Sequence, residues 1–537
     1  MNLRPPHATR REFLLGAGAA GIAAAGAFVA ARNLAGTREP VPAPSPRPSK
    51  HTVVAPRVRM TSVERKPTSA DWTALAARLS TGKLLRPGDR GYRQAKQLFE
   101  PQFDVLQPAG IAYCGEPADV AACLDFVRRF KLSVRVRSGG HSYAGWSSVT
   151  GGLVLDVSPM DSVSVSDHSA RVGAGVDLIR FYESLAAQGR AVPGGSCPTV
   201  GISGLTLGGG IGVLSRLYGL TCDNMSAVQV VTADGSVLDC DQTLNSDLYW
   251  ACRGGGGGNF GVATAFTFRT RQLAELDVFY LSWPWSQAAR VVAAWQSWAP
   301  HAPDALWSTL HLTGLIGGQP QVTVGGTFVG SGLPAHLADF FHLVGTTPSL
   351  TSVRTESFLD AMLYEAGCPD VRACHTGTGG QLSRVPAFAK SDFFTRPLSD
   401  DGITALLSGI ERLTAIRGAA GGSGSIAFDA LGGAVNRVSP AATAFVHRDA
   451  LFLAQYYTSW TWPGTGTGVA NQHRWLRSYY NSLHPYASGQ AYQNYIDPEL
   501  TDWQRAYYGT NYPQLTQVKA KYDPANLFRF PQSIGSS

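Results

Sequence analysis

At 537 residues, 44% hydrophobic and 15% charged, the chain is too long for one compact core and too apolar for a disordered or polyelectrolyte protein. Its formal charge of +7 is concentrated: residues 1–60 carry nine Lys/Arg against two Asp/Glu, and the rest carry 36 of each. A neutral body gives no electrostatic reason to bind nucleic acid.

The first element in chain order is a leader. Arg10-Arg11-Glu12-Phe13-Leu14 opens an apolar, Ala/Gly-rich run to Ala31. A basic start and a modest apolar stretch predict a twin-arginine secretion signal over residues 1–35 and an extracellular location. The run is poor in large apolar side chains, so membrane involvement is expected for export only. Gly16-Ala17-Gly18-Ala19-Ala20-Gly21 spells a dinucleotide fingerprint but follows no strand, so it lacks the mechanism. Residues 36–66, with Pro40, Pro42, Pro44, Pro46 and Pro48 alternating, read as an extended linker.

Strands and helices then alternate through residues 67–275. Ile111–Tyr113, Val134–Arg137 and Leu153–Val157 read as strands, and Ala118–Arg129 and Val176–Gly189 as helices. Val228–Val231, Asp234-Gly235 and Val237-Leu238 signal a hairpin. From residue 276 to 485 the texture changes to long antiparallel strands such as Val278–Trp283 and Val322–Phe328, separated by helices such as Ile403–Ile416, which predicts a second, α+β domain. Eight cysteines form no CxxC or Cys/His pattern, so no metal site is expected. Cys368 and Cys374 lie close in a polar loop and suit a disulfide after export.

Three segments carry chemistry. In Arg137-Ser138-Gly139-Gly140-His141-Ser142, two glycines let backbone amides approach an anion, and Ser and Arg add donors. In the second, Cys197-Pro198-Thr199-Val200-Gly201, Gly204 and Gly208-Gly209-Gly210 cannot form an ordinary helix or strand, and the chain folds tightly around something flat or anionic. The third is the glycine run 254–258, with Asn259-Phe260-Gly261-Val262 after it. Alone, His141 reads equally as a structural loop histidine and Cys197 as an inert buried thiol.

Together with the closing segment Tyr507–Ile534, these motifs resemble the berberine-bridge-enzyme-like oxidases of the vanillyl-alcohol-oxidase flavoprotein superfamily, from Pro87 to Ser533. The resemblance implies an α+β fold of two domains: a PCMH-type FAD-binding domain, completed by residues 486–537, and an α+β substrate domain built on an antiparallel sheet. It implies FAD as cofactor, linked through its 8α-methyl to His141 and through C6 to Cys197. Arg137, Ser138, Gly139, Gly140, Ser142, Val200, Gly201, Gly204, Gly208, Gly209, Val262 and Asn494 complete the expected cofactor contacts, with Val200 matching a position that controls oxygen access.

Ala491–Asp497 resembles the family segment carrying a catalytic Tyr. Read as a strand, it puts Tyr492 and Asn494 on one face and Tyr495 on the other. Tyr492 is the expected base, Gln455 its hydrogen-bond partner and Asp429 a second polar catalytic group. A phenol near pKa 10 needs its phenolate stabilised to serve at neutral pH. Tyr456, Tyr457, Trp460 and Trp462 offer rings for stacking on a small-molecule substrate, a carbohydrate or glycosylated metabolite. No cluster of acids or bases suggests a charged substrate. The expected reaction is hydride removal from a hydroxyl-bearing carbon, with O2 reduced to H2O2. A dehydrogenase using another acceptor and a catalytically silent flavin-binding protein are the competing readings.

Overall fold

The computed structural model describes residues 65–416, 422–464 and 466–535, so the leader and the linker up to residue 64 lie outside the described residues. The first sheet holds β1 (Leu84–Leu85), β2 (Gly110–Tyr113), β3 (Val134–Arg137) and β4 (Leu153–Asp156) in the order β1-β2-β4-β3, parallel except for β1. Next come β5 (Val163–Val165), β6 (Ser169–Gly173), a short β7 (Arg190–Ala191), β8 (Met225–Val231), β9 (Val237–Asp241), β10 (Val262–Arg269) and β11 (Arg271–Gln272). They form an antiparallel sheet ordered β5-β6-β10-β8-β9, and β7 pairs with β11.

Helix α1 (Pro117–Phe130) connects β2 to β3, and its Val120, Cys123, Leu124 and Val127 are fully buried. Pro117 suits the first turn because no amide is needed there. Helix α2 (Leu178–Ala186) starts at Asp177, whose carboxylate accepts from the Arg180 amide at 3.1 Å. Both helices share one apolar core with the two sheets and with Leu515, Val518, Phe528 and Ile534 of the C-terminal segment.

The remaining sheet is antiparallel and seven-stranded. Its strands are β12 (Glu275–Trp283), β13 (Leu306–Leu315), β14 (Gln321–Phe328), β15 (Leu350–Ser357), β16 (Ala387–Phe394), β17 (Gly422–Ala430) and β18 (Phe452–Trp460), ordered β15-β12-β14-β13-β17-β18-β16. The helices Ala288–Trp298, Leu333–Val344, Asp400–Thr414 and Gly466–Leu483 cover one face and form a second core with it. Alternation decides which residues face that core. Leu310 and Leu312 of β13, Ile426 and Phe428 of β17, and Ala454 and Tyr456 of β18 point under the helices. Each large side chain buried there contributes about 1.5–3 kcal/mol. The residues between them point the other way, toward the two smaller sheets.

The Cys368–Cys374 disulfide is present. Residues 491–496 are not a strand. Ala491 donates to Ala506 O, Tyr492 to the Ser391 hydroxyl, and Tyr495 closes a turn onto Tyr492 O at 2.8 Å. The segment runs beside the free edge of β16, where Phe393 donates to Gln490 O, but its own amides do not continue that ladder. Among the described residues, no helix is long and apolar enough to cross a membrane.

Candidate active site

A cavity of about 410 Å3 lies between the outer face of the seven-stranded sheet and the glycine-rich loops. Its loop side begins where β3 ends. From Ser138 to Ser142, no backbone amide donates a hydrogen bond within the described protein, and Ser138, Gly139, Gly140, His141 and Ser142 all line the cavity. Amides that face a cavity without a protein partner are free to meet an acceptor-rich group. Glycine is required at 139: a Cβ there would stand 2.3 Å from the Gly201 amide nitrogen.

The facing loop is held by β-like contacts to α2: Leu178 donates to Val200 O and Ile179 to Pro198 O, both at 3.0 Å. Thr199 Oγ1 lies 2.9 Å from His141 Nε2, so one hydrogen bond ties the two loops together. His141 also stacks on Phe99, with ring centroids 4.1 Å apart. Burial lowers the imidazole to about 3, so it is neutral at ordinary pH. Cys197 is a free cysteine exposed on the cavity wall. The protein mass around the cavity pushes its thiol up, and the charge of Asp429 adds to this. Val200, Gly201, Gly204 and Asn494 also line the cavity.

Four expected cofactor contacts stand elsewhere. Arg137 is buried behind its loop, where Nε donates to Asp156 at 2.6 Å; Arg135, two residues earlier, lines the cavity instead. Val262 is fully buried in the core, because strand alternation gives the cavity its neighbours Gly261 and Ala263. Gly208 and Gly209 lie behind the wall, making room for Asn494 and Phe445.

The sheet side is a grid. Trp307, Thr309 and His311 of β13, Ser425, Ala427 and Asp429 of β17, and Gln455 and Tyr457 of β18 all line the cavity. Thr309 pairs across the strands with Asp429, and Ala427 with Gln455. Burial raises the Asp429 carboxyl to about 6, with the Thr309 hydroxyl partly offsetting it. His311, 3.1 Å from Thr309 Oγ1, is lowered to about 4 by burial and is neutral. Glu365, from the helix Phe358–Ala366, reaches the same cavity; burial raises it to about 8, and Asp429 adds to the shift. Of the expected aromatic cluster only Tyr457 faces the cavity. Tyr456 lies under the helices, Trp460 packs on Phe388, and Trp462 is exposed.

The two tyrosines of the turn differ sharply. The Tyr492 hydroxyl oxygen accepts from the Gly210 amide at 3.0 Å, the Ile211 amide at 3.3 Å and Asn494 Nδ2 at 2.9 Å. Burial raises its phenol to about 12 against these donors. Gln455 does not reach it. Its Nε2 donates to the Tyr143 hydroxyl at 2.8 Å, because alternation on β18 aims it at the His141 loop. The Tyr495 ring packs edge-on against Tyr492, 5.0 Å between centroids, and lines the cavity. No hydrogen bond engages its hydroxyl among the described residues, and its phenol is pushed well up by burial and then by the Asp429 charge. Tyr143, Tyr495, His311 and Glu365 were missed from sequence. Tyr143 had a signal, two residues after His141, and Tyr495 lies in the segment Ala491–Asp497; His311 and Glu365 become neighbours only through the topology.

Fold and site together define a flavin-binding oxidoreductase. The FAD binding domain family matches residues 108–241, and the berberine and berberine-like family matches residues 491–535. The chain is 36% identical to the uncharacterized FAD-linked oxidoreductase YvdP of Bacillus subtilis, covering 85% of this chain and 98% of that one. It is 30% identical to the chitooligosaccharide oxidase of Gibberella zeae, covering 80% and 87%. The solved structure of Physcomitrella patens BBE-like 1 superposes with a TM-score of 0.78 at 29% identity, covering 86% and 99%. The chain therefore belongs to the berberine bridge enzyme-like family of FAD-linked oxidoreductases.

Proposed function

We propose that the protein is an oxidase that removes a hydride from a hydroxyl-bearing carbon of a carbohydrate or glycosylated metabolite, reduces O2 to H2O2, and holds FAD through both His141 and Cys197. One observation carries this reading: two nucleophiles 56 residues apart in sequence stand on the wall of one cavity, on loops joined by the His141–Thr199 hydrogen bond. FAD, when bound, supplies the two-electron acceptor and its reoxidation by oxygen. His141 is neutral, the form able to make a bond through nitrogen. The unpaired amides of Ser138–Ser142 suit its pyrophosphate, and Val200, three residues from Cys197, lines the cavity, which fits the oxygen-controlling role that the resemblance implies. The name of the Gibberella zeae relative supports a sugar substrate.

The proton acceptor needs a free lone pair and a pKa near the working pH. Tyr492 offers neither, since three donors occupy its oxygen. Asp429, near 6, is ionised at neutral pH, and the free Tyr495 hydroxyl shares its end of the cavity. We therefore assign the substrate's hydroxyl proton to Asp429, with Tyr495 holding that hydroxyl.

Acid precipitation and a peroxide assay test the reading. The precipitated protein should stay yellow, each single replacement, His141→Ala or Cys197→Ala, should retain flavin through the other residue, and peroxide should form one-for-one with oxidised oligosaccharide. Release of all colour from the wild type refutes the covalent links. Turnover with a dye acceptor but no peroxide refutes the oxidase and leaves a dehydrogenase.

A further inference from the structure

Among the described residues, several buried carboxylates face a cation. Asp156 faces Arg137, Asp223 faces Arg448, Asp497 faces Lys390 and Asp523 faces Lys519. Glu365 faces none. Its side chain reaches the cavity wall, enclosed by protein, with no hydrogen bond or ion pair among the described residues. A second acid, Asp429, stands close enough to raise it. His311 on β13, Tyr457 on β18, Tyr143, Tyr495 and Cys197 line the same cavity, Glu100 lies near Tyr143 and Tyr457, and none of them is a cation at neutral pH. Arg135 and Arg529 also line the cavity, Arg135 donating to Arg529 O, and Asp429 is the charge that acts on Glu365.

An enclosed carboxyl beside a second carboxylate is expensive to ionise unless a positive charge arrives. The protein supplies none, so the missing charge belongs to the ligand. We propose that Glu365 selects a substrate carrying a protonated amine near the carbon that is oxidised. This deepens the oxidase reading and rests on it for the identity of the cavity as the substrate site. An incoming ammonium favours the ionised form of Glu365, so binding at pH 7 releases the proton that the two acids otherwise hold between them. The amine could be that of an amino sugar or of an alkaloid-like tertiary amine; the shared chemistry is the ammonium.

Calorimetry on the flavoprotein under nitrogen tests this with matched disaccharides: the β-1,4-linked glucosamine dimer, its N,N′-diacetyl form and cellobiose. A second arm compares a benzylic tertiary amine with its neutral carbon analogue. At least one amine should bind at least about tenfold tighter than its neutral counterpart, the return of one hydrogen bond to a charged group. Titrations in buffers of different ionisation heat should show proton release on amine binding. Glu365→Gln should erase the tenfold preference of the amine over its neutral counterpart and the proton release. The proposal is overturned if neither amine outbinds its neutral counterpart, or if Glu365→Gln keeps both preference and proton release. Glu365-dependent amine binding without flavin reduction would sink the oxidase reading and leave this one standing. Peroxide formation from neutral sugars alone would do the reverse.

Discussion

The two walls of the cavity are built by opposite means. The loop wall is local: Ser138–Ser142 is five consecutive residues and Cys197–Gly201 another five, each set by glycines and short contacts. The sheet wall is non-local: Thr309, Asp429, Gln455 and Tyr457 come from three strands and meet through cross-strand pairing. A local wall tolerates little change in backbone shape. A grid of alternating side chains tolerates substitution and changes chemistry instead.

The largest test of that contrast is on the loop wall. Gly139→Ala puts a methyl 2.3 Å from the Gly201 amide, backbone against backbone, with no side chain able to yield. It should abolish flavin incorporation, read as loss of visible absorbance in the purified protein. Gly204→Ala is the control, since a Cβ there meets nothing within 4 Å. That variant should fold with unchanged melting temperature, and any loss of flavin would come from crowding in the cavity. If Gly139→Ala incorporates flavin normally, the loops do not meet as described.

The same contrast explains what was legible in the sequence. Ser138-Gly139-Gly140-His141 announced itself because a backbone-shaped site needs glycines in a row, and those are visible in one dimension. The strands and helices of the first domain were legible from their periodicity: the hairpin of β8 and β9 has Asp234-Gly235 at its turn. Arg137 and Val262 were misplaced because motif membership does not say which way a side chain points. The Ala491–Asp497 segment was misread for a sharper reason. Strand alternation was applied to Tyr492–Tyr495, and the chain there is a turn. Glu365 had no local signal at all, since its neighbour Asp429 is 64 residues away.

The second test falls on the sheet wall's chemistry. Tyr495→Phe and Asp429→Asn should each lower kcat by about 10^2–10^4-fold with flavin retained. In the wild type, kcat/KM should fall as pH drops below about 6, because Asp429 must be ionised to accept a proton. Asp429→Asn should lose that acidic limb. Tyr492→Phe should leave kcat within about tenfold of wild type but cost about 1–3 kcal/mol of stability, since two amides and Asn494 lose their acceptor. A collapse of flavin reduction in the Tyr492 variant, with Tyr495→Phe unaffected, would return the catalytic role to Tyr492.

The smallest expected effect concerns stability and has a definite sign. In the folded protein Glu365 keeps its proton to about pH 8, against an ordinary value of 4.5. A raised acid means that the folded state binds more protons than the unfolded chain between those limits. Its contribution is therefore fully present below about pH 4 and is lost as pH rises through 8. Glutamine cannot ionise, so Glu365→Gln escapes that loss. With no substrate present, the variant should match wild type at pH 4.5 and exceed it by about 2 kcal/mol at pH 8.5, less than a dry burial would give because the side chain meets the cavity. Denaturant midpoints at the two pH values read this directly. Equal midpoints at both would mean that Glu365 is already solvated or paired.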